Sequence, residues 1–104
     1  MSYKILKRPQ VERDIEECFV FIAEENLDAG VYFLVAVEES IEQIGRFPLI
    51  GKVLEFRNPR LNNLRMWRVK KYADYLIFYS VKEDTVEIIR FLHSARDLKT
   101  IFDE

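Results

Sequence analysis

The sequence predicts an α+β fold of order β-α-α-β-β-β(-α), with a helical hairpin packed on one face of a mainly antiparallel sheet. Three observations predict it. Apolar residues recur at helical spacing from Val11 to Ile44, and the pattern turns aromatic and β-branched from Leu64 to Leu92. A short alternating segment precedes both. At 104 residues the chain has room for one compact domain, expected to span 1–104.

"SYKILK" (Ser2–Lys7) sets Tyr3 and Ile5 against Lys4 and Lys7 and reads as a first strand. Pro9 then suits the first turn of a helix, where a missing N–H costs nothing. Val11, Ile15, Cys18, Phe19 and Ile22 form its apolar side, with Glu12, Glu16 and Glu24 opposite. "NLDAG" (Asn26–Gly30) breaks the helix, and Asp28 is the expected N-cap of the next one, after a connection of about four residues. Phe33, Val37, Ile41 and Ile44 make the second apolar stripe, which ends near "GRFP" (Gly45–Pro48).

The stretch from Phe47 to Asn63 is punctuated by Gly, Pro and Asn and has space for one short strand. "LRMWRV" (Leu64–Val69), "YLIFYSV" (Tyr75–Val81) and "TVEIIRFL" (Thr85–Leu92) read as strands, the last two joined by a tight turn at "KEDT". "YLIFYSV" is apolar on both faces, which places it centrally in the sheet. "ARDLKTIFDE" allows about two final helical turns.

The net charge of −2 conceals an asymmetry. Residues 1–51 hold five Lys or Arg against ten carboxylates, whereas residues 52–81 hold seven against two. A basic segment on an acidic chain suits an acidic partner better than indiscriminate nucleic-acid binding, so direct DNA binding by this chain alone is not expected. The lone Cys18 excludes an internal disulfide and falls where a small buried hydrophobe belongs. No apolar run approaches the roughly 20 residues of a membrane span, so no membrane role and a cytoplasmic location are expected. There is no P-loop, no dinucleotide fingerprint, no His-Glu-x-x-His and no G-x-S-x-G, and no residue set argues for a metal or cofactor.

"RFLHSARDL" (Arg90–Leu98) holds the only histidine. His93 is chemically able to move a proton near neutral pH. Alternation from Ile89 and Phe91 points it to their apolar side, so it reads as a strand-end packing residue, with Asp97 available to orient it or to pair with Arg96 or Arg90.

The strand–hairpin–sheet order resembles the RelE/ParE toxin superfamily. So do the "FP" then "LIG" turn after the second helix, "LRMWRVKKYADYLIFYSV", and "HSARDL" after the last strand. The ending is similar to that of ParE-like members, the toxin halves of type II toxin–antitoxin and plasmid stabilisation systems. The resemblance implies a cognate antitoxin as partner, and DNA gyrase as the target inhibited by protein–protein contact. Arg65, Trp67, Arg68 and Arg96 are then the candidate target-binding residues, a composition that binding hot spots favour. The RelE side of the superfamily implies instead a ribosome-dependent, metal-independent endoribonuclease acting on mRNA, with Arg96, Lys70, Lys71 and His93 as its candidate catalytic groups. A family member that only binds its antitoxin is the third reading. The position that RelE-type nucleases fill with tyrosine falls here at about Phe102, which cannot transfer a proton, and this favours the ParE reading.

Overall fold

The computed structural model describes residues 2–55, 59, 63–96 and 101–102. The strands are β1 (Lys4–Lys7), β2 (Lys52–Val53), β3 (Arg65–Val69), β4 (Tyr72–Lys82) and β5 (Thr85–His93). The helices α1 (Pro9–Glu25) and α2 (Leu27–Arg46) lie between β1 and β2 in the chain. The sheet order is β1-β5-β4-β3-β2, with β1 parallel to β5 and the other pairs antiparallel. The α+β class, the helical hairpin and the central position expected of β4 are all present.

Pro9 stands in the first turn of α1, as its missing N–H favours. The two helices are joined by Asn26 alone, a tighter connection than about four residues. Asn26, not Asp28, caps α2: its side-chain Oδ1 accepts the Ala29 N–H at 3.0 Å, and Asp28 sits in the first helical turn. An Asn with extended backbone can end one helix and begin the next, which removes the need for a longer loop. The hairpin closes tightly because Gly30 faces α1. A Cβ there would stand 2.9 Å from the Ala23 Cβ.

The sheet is covered on both faces. On the helix side Phe33, Val37, Ile41 and Ile44 of α2 and Val11 and Ile15 of α1 meet Ile77, Tyr79, Val86, Ile88 and Phe91. Phe33 anchors this layer, with edge-on contacts to Tyr72, Tyr75 and Phe91 at centroid distances of 5.4, 5.0 and 6.0 Å. On the other face Leu64, Leu76, Phe78 and Leu92 gather under Phe102, whose ring lies 4.8 Å from that of Phe78. Four successive residues, Leu76 to Tyr79, are therefore buried by two separate clusters, which explains why β4 reads as a continuous apolar run. Ile101 and Phe102 are helical, and the rest of the expected tail helix lies outside the described residues.

Strict alternation fails in β5. Tyr79 pairs with Ile88 and Phe78 with Arg90, leaving Ile89 as the extra residue of a bulge. Ile89 therefore packs with the second cluster, while Phe91 belongs to the helix-side core and His93 rests edge-on against Tyr75 at 5.0 Å. His93 shares a face with Phe91 but not with Ile89, because one inserted residue inverts the parity on either side of it.

Tyr79 locks the loop after α2. Its buried hydroxyl donates to the Pro48 carbonyl and accepts the Gly51 N–H, both at 2.8 Å. A Cβ on Gly51 would fall 2.5 Å from that hydroxyl and 2.9 Å from the Met66 carbonyl oxygen. Gly51→Ala is expected to destabilise the fold by about 1–3 kcal/mol, the range for overpacking a tight site. A melting temperature equal to that of the parent chain would refute this reading.

Candidate functional site

The structure distributes the candidate residues over three places on the helix-bearing side and one end of the sheet. Arg65, at the start of β3, turns back on the preceding loop. Its Nη1 donates to the carbonyls of Leu49 at 3.1 Å and Gly51 at 2.8 Å, so the guanidinium braces the turn that Tyr79 also holds.

Trp67, Arg68 and Lys70 meet α2 across an open groove of about 610 Å³, together with Gln43, Arg46 and Phe47. The indole N–H of Trp67 donates to Gln43 Oε1 at 3.2 Å, which fixes the half-buried ring upright against the helix. Arg68 donates to the Ala73 carbonyl at 2.6 Å and so arches over the β3–β4 turn. The backbone N–H of Lys70 reaches the buried hydroxyl of Ser40 at 2.9 Å, and its ammonium lies 3.5 Å from Glu39. Ser40 thus satisfies an edge N–H just past β3 while its hydroxyl donates to the Ala36 carbonyl at 2.8 Å. Phe47, 61% exposed, offers the groove an uncovered aromatic ring. Lys71 follows with φ 70° and lines a neighbouring concavity with Tyr32, Val35 and Tyr72.

His93 and Arg96 lie at the end of β5. His93 Nδ1 accepts the Ala95 N–H at 3.0 Å, and the His93 carbonyl accepts the Arg96 N–H at 3.0 Å, so the histidine shapes the turn that follows it. Arg96 is exposed. Asp97, expected to orient His93 or pair with an arginine, lies outside the described residues. Arg90 has another partner: its Nε and Nη2 grip Asp14 of α1 at 3.0 and 3.2 Å.

β4 separates the two basic groups. Val69 pairs with Tyr72 and Tyr75 with His93, so the Lys70–Lys71 turn and His93 flank β4 from opposite sides, about 10 Å apart in backbone spacing. Among the described residues no hydrogen bond or ion pair links them.

Half-buried Cys18 packs against the helix-side core near Arg96. Burial, followed by the Asp14 and Glu17 carboxylates, pushes its thiol up from 9.0 to about 11. Burial likewise raises the Tyr75 phenol, followed by Cys18 and Asp74. Because the folded thiol keeps its proton to higher pH than the unfolded one, stability falls as pH rises from about 9 to 11. Cys18→Ala should flatten part of that alkaline decline in a series of melts. An unchanged slope would show that the thiol is not its source.

Asp14, Gln43 and Ser40 are not singled out by the sequence, and Phe47 enters there only as part of the "FP" turn. Asp14 carried a signal: its spacing from Val11 and Cys18 puts a carboxylate on the apolar side of α1. Gln43 carried none, since a polar residue near a helix end is ordinary there.

A family model for the ParE toxin of the type II toxin–antitoxin system parDE matches residues 5–98. Among solved structures, the chain is similar to one described as the chromosomal ParDE toxin–antitoxin system of P. aeruginosa. That match has a TM-score of 0.70 at 10% identity and covers 88% of this chain and 96% of the other. It is also similar to a chain of the RelBE2 toxin–antitoxin complex of Mycobacterium tuberculosis, with TM-score 0.62 and 22% identity over 89% and 99%. A conserved hypothetical protein of Helicobacter pylori follows at TM-score 0.57 and 16% identity over 90% and 97%. At these identities the three structures establish the shared fold. No curated protein sequence matches the chain.

Proposed function

The chain belongs to the ParE toxin family of type II toxin–antitoxin systems, and from that premise we propose that it inhibits DNA gyrase by protein–protein contact and is silenced by a cognate antitoxin. The observation that carries the proposal is the groove between β3 and α2. Trp67 is held upright by Gln43, Phe47 is exposed beside it, and Arg68 and Lys70 stand at its edge. An oriented indole, an uncovered phenyl ring and flexible cations are what a protein-binding hot spot uses. Arg96 adds a further exposed cation at the far side of β4, while Arg65 acts through the loop it braces.

The groups that a nuclease would need support contact over catalysis. His93 Nδ1 is committed to the Ala95 amide, and the tail position occupied by Phe102 is apolar and packed on Phe78. General acid–base cleavage requires proton-transferring groups on both sides of one phosphate. Action on gyrase also accords with a cytoplasmic location and with a role in plasmid stabilisation.

The test is induction in a bacterium, with DNA-damage response and mRNA integrity followed together. DNA-damage induction with intact mRNA is expected, as is inhibition of gyrase by the purified chain in a supercoiling assay. Codon-phased mRNA cuts on translating ribosomes would replace this reading with the endoribonuclease one and return Arg96, Lys70, Lys71 and His93 to catalytic roles. Co-expression with the cognate antitoxin should relieve growth inhibition and yield a complex of the two chains.

A further inference from the structure

The loop from Phe47 to Gly51, between α2 and β2, turns apolar side chains outward beside the groove. Leu49 is 68% exposed, and Val53 of β2 is 47% exposed. Val53 pairs with Arg65 and Arg65 with Tyr79, a member of the helix-side core, and cross-strand partners share a face. Val53 therefore stands on the helix-bearing side of the sheet, in line with Trp67. Phe47 lines the groove, so the uncovered residues continue from it onto the outer strand β2.

The backbone beneath these side chains is fixed. The Tyr79 hydroxyl holds the Pro48 carbonyl and the Gly51 N–H, and Arg65 holds the carbonyls of Leu49 and Gly51. The Ile50 N–H donates to the Phe47 carbonyl at 3.0 Å, and the half-buried Ile50 side chain packs on the helix-side core. A segment already held in one conformation gives up little entropy when a partner covers it. Neighbouring apolar side chains left in water on such a support mark a contact surface. Its surroundings are basic. No carboxylate occurs from Gln43 to Leu54, where Arg46 and Lys52 flank the loop. Glu42 is taken by Arg46, while exposed Lys52 has no ion pair among the described residues.

We propose that this loop is a preformed apolar knob that enters a cleft on gyrase, with Leu49 and Val53 meeting the cleft's apolar walls and Lys52 meeting carboxylates at its rim. This contact rests on the gyrase reading and carries its surface beyond the groove. Continuity and charge commit the knob to this occupant. A target seated on Trp67 and Phe47 lies against the next residues along the loop. A second copy would set Arg46 and Lys52 of each chain against those of the other.

The test is a gyrase supercoiling assay titrated with the purified full chain. Leu49→Ser/Val53→Ser should raise the half-inhibitory concentration about tenfold or more, the factor for apolar side chains left in water rather than buried. Lys52→Glu should raise it as well and lessen the loss of potency on adding salt. All three positions are exposed, so both variants should melt with the parent. Tyr79→Phe leaves the knob's side chains in place but releases Pro48 and Gly51, and below its melting temperature it should raise the value by a smaller factor. Failure of the parent chain to inhibit gyrase would remove the reading on which the knob rests, and the knob with it. Inhibition by the parent with an equally potent serine variant would overturn the knob alone. If that variant keeps its potency but loses the cognate antitoxin, a dimer or binding to phosphatidylglycerol vesicles, the loop belongs to that partner instead.

Discussion

Asp14→Ala is expected to cost about 3 kcal/mol of stability, the lower end of the range for removing one partner of a buried ion pair. The Asp14 carboxylate is 6% exposed. It accepts from four donors: Arg90 Nε and Nη2, the Phe91 N–H at 3.1 Å and Gln10 Nε2 at 2.9 Å. Its place in the sheet explains the concentration of bonds. β1 stops pairing at Lys7 and Ile88, while β5 runs on to His93, so the Phe91 N–H would face an open edge. Asp14 closes that edge from α1.

Removing it strands the Phe91 amide and the Arg90 guanidinium together. Arg90 keeps about a quarter of its side chain in contact with water and can partly rehydrate, which is why the lower end of the range applies. For a domain of this size the melting temperature should drop by more than about 10 °C. Asp14→Asn, which keeps one acceptor oxygen but loses the charge, should fall between the two. A drop of less than about 2 °C in Asp14→Ala would show that the bonds are readily replaced by water.

Under the proposed contact with gyrase, Trp67→Ala is expected to weaken inhibition roughly 30-fold or more, the effect of losing about 2 kcal/mol or more at a binding hot spot. The indole also packs on the helix-side core, so part of the change will register as lower stability. Gln43→Ala separates the two effects, because it releases the indole N–H without removing the ring. It should lower potency by a smaller factor and leave the melting temperature nearly unchanged. Arg68→Glu reverses a charge at the groove's edge and should reduce potency with little effect on the fold, since Arg68 is exposed and, among the described residues, its side chain bonds to the Ala73 carbonyl alone. If folded Trp67→Ala inhibits gyrase as well as the parent chain does, the groove is not the contact surface.

The sequence by itself determined the class of the fold, the order of its elements and the family. Those properties rest on local signals that survive without a third dimension: the 3.6-residue period of residues 11–44, the doubly apolar run of β4, and the "FP…G" and "HSARDL" landmarks. Tertiary structure decided which residues act together. Asn26 rather than Asp28 caps α2 because hairpin packing of Gly30 on Ala23 leaves space for only one joining residue. The bulge at Ile89 reverses the parity of β5, so no count along the chain could tell which apolar residues share a face with His93. Arg65 and Trp67, two residues apart and alike as candidates, part company for a similar reason. One finds the carbonyls of a loop, and the other finds a helix 24 positions earlier in the chain. Periodicity reports what each residue would bury, whereas partners across the fold depend on distances that only the packed chain defines.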